Sequence, residues 1–262
     1  MRKVCVAMLS ISFLFVLSCL NEVEEAAVAA DSISRSDMDN PGTGTSGRIQ
    51  PQSGASDEPE AATPSVYIST ISTMSTEDWD VEVLAEGLIY PWEIAVIGND
   101  IILTELIGNL VVLSDGQVER YRLNTSDPIL QNGGSGLLGM VLGDDFARTG
   151  KAYFYHSYQT RSGMANRVIT AVFTGSSWNE TGVLIDGIPG HSLYNGGRMS
   201  LGRDGKLYVA TGWAHEEGFA QNLDNLAGKI LRLDVDGSVP ADNPYPGSYV
   251  YSYGHRNPQG LE

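Results

Sequence analysis

The chain has 262 residues, 42% of them hydrophobic, and a formal net charge of −16 at neutral pH. Its 16 Lys and Arg stand against 32 Asp and Glu and form no basic stripe, which excludes a nucleic-acid partner. The 2 cysteines, Cys5 and Cys19, both fall near the N-terminus, so the remainder carries no internal disulfide and no thiolate metal site.

Met1, Arg2 and Lys3 give a positive start and residues 4–17 are almost wholly apolar, the layout of a secretory signal. The run is short of the roughly 20 apolar residues a spanning helix needs. Residues 1–19 are therefore expected to be a signal peptide. Val16-Leu17-Ser18-Cys19 resembles a lipobox, with Cys19 as the lipidated residue and the membrane reached only through that anchor or signal. Cleavage among the small residues 27–30 is the alternative. The expected location is secreted, periplasmic or cell-surface.

Residues 20–75 are rich in Ser, Thr, Pro, Gly and acids, as in "DNPGTGTSGRIQPQSGASDEPEAATP". Such a segment buries too little apolar surface to offset its ordering entropy, and it reads as a disordered acidic tether. Residues 66–73, "VYISTIST", alternate like a strand and leave a short edge strand open.

From residue 76 onward, short apolar runs rich in Val, Ile, Leu and Tyr are separated by glycine turns: "DIILTE", "NLVVLSDGQVERYRL", "GKAYFYHSY", "NRVITAVFT", "GKLYVATG" and "GKILRLDVDGSV". These argue for strands, with Asp115-Gly116, Asp204-Gly205 and Asp236-Gly237 as tight turns. A loose repeat of apolar strand, polar turn and apolar strand recurs about every 45 to 60 residues, the scale of four-stranded propeller blades. The fold class is all-β, with residues 76–262 as a partial β-propeller of about four blades. A sandwich is the alternative.

Three phrases occur in order: "NGGRMSLGRDGKLYVATG", "AQNLDNLAGKILRLDVDGSVPADNPY" and "YSYGHRNPQGL". With "LIYPWEIAV" and "GGSGLLGMVLGDDF" upstream, residues 81–262 resemble the soluble quinoprotein sugar dehydrogenases of the glucose/sorbosone dehydrogenase family, most closely the aldose sugar dehydrogenase branch. The resemblance implies a six-bladed propeller that oxidises aldoses, with pyrroloquinoline quinone over the central channel and calcium helping to hold it. It implies a sugar substrate and an external electron acceptor as partners. Arg256 and Asn257 match the family's quinone-binding pair: a fixed positive fork and an amide donor. Each also has a structural reading, an ion pair for Arg256 and a turn before Pro258 for Asn257. His255 is expected to pack or shape a turn.

The sequence departs from the family at three places. Tyr194, in "YNGGR", stands where the resemblance places the histidine base, and a phenol of pKa about 10 is a poor substitute for an imidazole of about 6.5. His191, three residues earlier, would face away from Tyr194 on a strand, but a loop at Pro189-Gly190 would let it swing in. Tyr194, His191 and Arg256 are the candidate catalytic residues, with inert channel-lining and loop roles as the alternatives for Tyr194 and His191. Gly134 replaces a side chain two positions before Gly-Leu-Leu-Gly, and Trp213 replaces an acid or amide. His215, Glu216 and Glu217 are expected to be a solvated loop, and His156 a satisfied structural histidine. In the family, chain corresponding to further blades follows "NPQGL" and supplies the calcium ligands, so the sequence reads as a truncated member. The competing function is a non-catalytic propeller lipoprotein that binds carbohydrate or protein; a calcium-dependent lactonase lacks a visible ligand cage.

Overall fold

A computed structural model describes residues 82–261 together with two short strands, β1 (Leu9–Ser10) and β2 (Phe13–Leu14), which pair antiparallel. Cys19, most of the segment read as a signal, the tether and the strand considered at 66–73 lie outside the described residues.

Three four-stranded antiparallel meanders follow. The first is β3 (Pro91–Ile97), β4 (Asp100–Glu105), β5 (Asn109–Ser114) and β6 (Gln117–Asn124). The second is β7 (Leu137–Leu142), β8 (Lys151–Thr160), β9 (Gly163–Phe173) and β10 (Trp178–Pro189). The third is β11 (Gly196–Leu201), β12 (Leu207–Thr211), β13 (Lys229–Leu233) and β14 (Val250–Tyr253). The only helices among the described residues are two short turns, α1 (Phe146–Thr149) and α2 (Glu217–Gln221).

The arrangement is that of propeller blades. β7, first in its meander, lies against β3 on one side and β11 on the other. That contact is close enough to require glycine: a Cβ on Gly139 would stand 2.0 Å from the Gly197 carbonyl oxygen. Alternation along β8 sends successive side chains to the two inter-blade cores. Ala152 and Phe154 join Leu110, Leu137, Ile169 and Trp178 on one face, while Tyr153 and Tyr155 join Val168, Leu207, Leu231 and Val250 on the other. Each fully buried aliphatic or aromatic side chain contributes about 1.5–3 kcal/mol.

Two sequence expectations change in detail. Spacing predicts about four blades in residues 76–262, whereas the described residues form three, because the second meander has long strands and the third carries long connections around α2 and before β14. The outer strands β6 and β10 also pair in parallel at Leu123–Trp178 and Asn124–Asn179, fusing the first two blades into one eight-stranded sheet. Of the three Asp-Gly turns, Asp115-Gly116 alone has both residues at positive φ (49° and 74°), as a two-residue hairpin demands. At the other two only the glycine is left-handed, and the preceding aspartate instead accepts a backbone N–H from Lys206 or Ser238.

His156 is buried as expected but incompletely satisfied. Its Nδ1 lies 3.2 Å from the Ser157 carbonyl oxygen, while Nε2 has no partner among the described residues. Burial lowers its pKa to about 4.

Candidate functional site

Three segments of the third blade converge: the loop leading into β11, the loop leaving β12, and the residues after β14. Each is shaped by residues in the left-handed region. Tyr194 has φ +60°, Gly196 +66°, Ala214 +55° and His215 +61°. Non-glycine residues rarely adopt this conformation, and it is held here by cross-loop bonds. Ala214 N–H donates to the Tyr194 carbonyl at 3.1 Å and Trp213 N–H to the Arg256 carbonyl at 2.9 Å. Gly212 lets the loops pass, since a Cβ there would meet the Tyr194 carbonyl oxygen at 1.8 Å.

Asn195 fixes the loop before β11 from inside. Its amide donates to the carbonyls of His191 (2.6 Å) and Gly134 (3.1 Å), and its Oδ1 accepts from His191 N–H (3.0 Å) and the Asn166 amide (3.1 Å). All four hydrogen-bonding sites of a buried amide are thereby used. Gly134, where a side chain was expected, contributes only backbone: its N–H donates to the Ser192 carbonyl at 2.7 Å.

The side chains form one stack. The rings of His191 and His215 lie 5.0 Å apart at 13°, and those of His215 and Tyr194 lie 5.6 Å apart at 18°. Trp213 meets Tyr194 edge-on at 5.8 Å. Arg256, 62 residues further along the chain, donates through Nη2 to the Tyr194 hydroxyl at 3.0 Å; its guanidinium lies 4.7 Å from the Tyr194 ring centre and 5.5 Å from that of Trp213. It is exposed and has no carboxylate partner among the described residues.

Asn257 has a positioning contact as well as a free donor. Its Oδ1 accepts the Gly196 N–H at 2.9 Å, which docks the segment after β14 onto the start of β11. Arg198 repeats the docking through Nε to the Gln259 carbonyl at 2.9 Å, while it pairs with buried Glu93 and packs on Trp92. Burial raises the Glu93 pKa against the opposing pull of Arg198. His255 holds a turn, with Nε2 2.8 Å from Ser252 Oγ, and burial with nearby Lys229 lowers its pKa.

Of the two readings of His191 the loop holds: residues 190–195 form no strand, and its ring stacks on the Tyr194 side of the site. His215 lies in an exposed loop with Glu216 and Glu217, as expected, and its ring sits between those of His191 and Tyr194. Sequence reasoning also missed Asn195 and Arg198, the supports of the site; the only signal was their place inside "YNGGR".

A family model described as "Glucose / Sorbosone dehydrogenase" matches residues 88–262. The chain belongs to the glucose/sorbosone dehydrogenase family. It is 30% identical over 219 residues to the aldose sugar dehydrogenase YliI of Escherichia coli, an alignment covering 76% of this chain and 57% of the relative. It is 27% identical to quinoprotein glucose dehydrogenase B of Acinetobacter calcoaceticus, covering 74% and 48%. Among solved structures, the aldose sugar dehydrogenase of Streptomyces coelicolor in its PQQ-bound form superposes with a TM-score of 0.62 at 32% identity, covering 68% of this chain and 54% of that one. The family's solved members establish the fold as a β-propeller. The chain spans about half the length of the curated relatives it matches.

Proposed function

We propose that this chain carries the quinone-facing part of an aldose dehydrogenase that uses pyrroloquinoline quinone. The observation that carries the proposal is Arg256, an exposed guanidinium with no carboxylate partner among the described residues, held against the rings of Tyr194 and Trp213. That donor set suits a planar, anionic ligand: a rigid cationic fork, two aromatic surfaces and the Asn257 amide nitrogen beside them. When bound, the quinone supplies the two-electron sink that takes a hydride from the sugar.

The chain's own residues bind and orient. Arg256 places permanent positive charge where negative charge grows during oxidation. Asn257 ties its neighbour's segment to Gly196, so that the fork is held in place before ligand arrives. Calcium is part of the proposal through the family likeness. The described residues contain no group of three or more His, Cys, Asp or Glu placed to hold an ion, so none is assigned to it. Export to the cell surface, with Cys19 as the lipidated residue, completes the reading, and the electrons leave to an external acceptor.

The test is dye reduction by the full-length protein with added quinone, calcium and a panel of aldoses. Turnover that needs the quinone and collapses in Arg256→Gln supports the proposal. No turnover with any aldose, together with retained carbohydrate or protein binding in Arg256→Gln, supports the second reading, a non-catalytic binding propeller. Tyr194 at the histidine position is the observation that favours that alternative.

A further inference from the structure

Oxidising an aldose hemiacetal to its lactone removes a hydride from the anomeric carbon and a proton from its hydroxyl oxygen. The bound quinone would take up that hydride with its electron pair, and the proton needs an acceptor from the protein. Resting on the dehydrogenase reading above, we infer that His215 is that acceptor, brought in from the loop after β12 to replace the imidazole missing at Tyr194.

Three groups compete for the role, and their bonding separates them. The Tyr194 hydroxyl oxygen already accepts from Arg256 at 3.0 Å. His191 Nδ1 accepts the Leu193 N–H at 3.2 Å, so in its neutral form the proton sits on Nε2 and the lone pair faces the backbone. His215 has no hydrogen-bond partner at either ring nitrogen among the described residues, which leaves a lone pair available. It is also exposed, so a sugar hydroxyl has access to it.

The backbone supports the assignment. Ala214 and His215 are consecutive non-glycine residues at φ +55° and +61°, a conformation that costs roughly 1 kcal/mol or more at each. The bonds of Ala214 N–H to the Tyr194 carbonyl and of Glu216 N–H to the Trp213 carbonyl (3.1 Å each) hold it. The result lays the imidazole flat on Tyr194, the residue that touches Arg256. The titratable and charged groups around His215 are His191, Tyr194, the adjoining Glu216 and Glu217, and, through Tyr194, Arg256.

Two substitutions that tolerate positive φ test this without disturbing the loop, His215→Asn and His215→Gly. In the full-length protein loaded with pyrroloquinoline quinone, His215→Asn is expected to lower kcat for aldoses by about 100-fold or more and to abolish the acid limb of the kcat profile. Its affinity for the quinone, measured by equilibrium titration, should stay within about threefold of wild type. His215→Gly should lose the same activity and recover it with added imidazole. The inference is overturned if His215→Asn keeps both rate and acid limb, if quinone affinity falls in step with turnover, or if imidazole restores nothing. Wild-type protein that binds quinone yet oxidises no aldose overturns the dehydrogenase reading and this inference together. An active wild type with an equally active His215→Asn overturns this inference alone.

Discussion

Asn257 Oδ1 accepts the buried Gly196 N–H at 2.9 Å, across 61 residues of sequence. Through this bond the segment bearing Arg256 is docked onto the entrance of β11, next to Tyr194. The bond thus belongs to the support of the site as much as to its ligand-binding face.

Breaking that bond has a defined cost. Asn257→Asp keeps an acceptor and is expected to change stability by less than about 1 kcal/mol, whereas Asn257→Leu leaves a buried N–H unpaired and costs about 1–3 kcal/mol. Urea unfolding of the two variants measures the difference; equal stabilities would show that Gly196 N–H finds another partner.

His156 predicts acid sensitivity. Its folded pKa of about 4 lies below the ordinary value of about 6.5, so the unfolded chain binds a proton that the folded one refuses. The contribution is present above about pH 6.5 and is lost as pH falls towards 4, by roughly 3 kcal/mol in all. His156→Gln should flatten this part of the stability profile. A wild-type curve parallel to that of the variant between these limits would contradict the assignment.

Lys229 predicts a trend at the alkaline end. Its Nζ is buried among the carbonyls of Phe219 (2.7 Å), Ala220 (3.2 Å) and Ala227 (2.6 Å), with no carboxylate bound to it among the described residues, and burial lowers its pKa to about 8. An unfolded lysine titrates near 10.4, so between these values the unfolded chain holds more protons and stability rises with pH. The difference in unfolding free energy between wild type and Lys229→Met should therefore move in favour of wild type from about pH 8 to about pH 10. A constant difference would mean that Lys229 stays charged throughout.

Much of this architecture is legible in the sequence. Apolar runs bounded by Asp-Gly and Gly-Lys gave the strands, because a strand buried on both faces, as β8 and β13 are, reads as a short continuous apolar run. Arg256 and Asn257 stood out through the phrase "YGHRNPQG", and the structure brings them to Tyr194 and Gly196; their role towards a quinone is the proposal above. The stack of His191, His215 and Tyr194 was not legible, because it depends on non-glycine residues at positive φ, for which no residue pattern gives warning. Asn195 was missed for a related reason: a buried amide that makes four hydrogen bonds looks, in sequence, like any turn asparagine.

The inner-strand contact is intolerant of bulk. Gly139→Ala would drive a methyl group into the Gly197 carbonyl, which belongs to backbone and cannot rotate away. A loss of about 1–3 kcal/mol or more is expected, read as a lowered urea midpoint. An unchanged midpoint would mean that β7 and β11 separate freely.

The account stands most directly on Arg256 as a quinone anchor. The deciding measurement is equilibrium titration of pyrroloquinoline quinone into the full-length protein and into Arg256→Gln and Arg256→Lys. Saturable binding by wild type, weakened about tenfold or more in both variants because neither keeps the charged planar fork, is the predicted result. Equal affinity in all three proteins, or no binding by wild type, would contradict it.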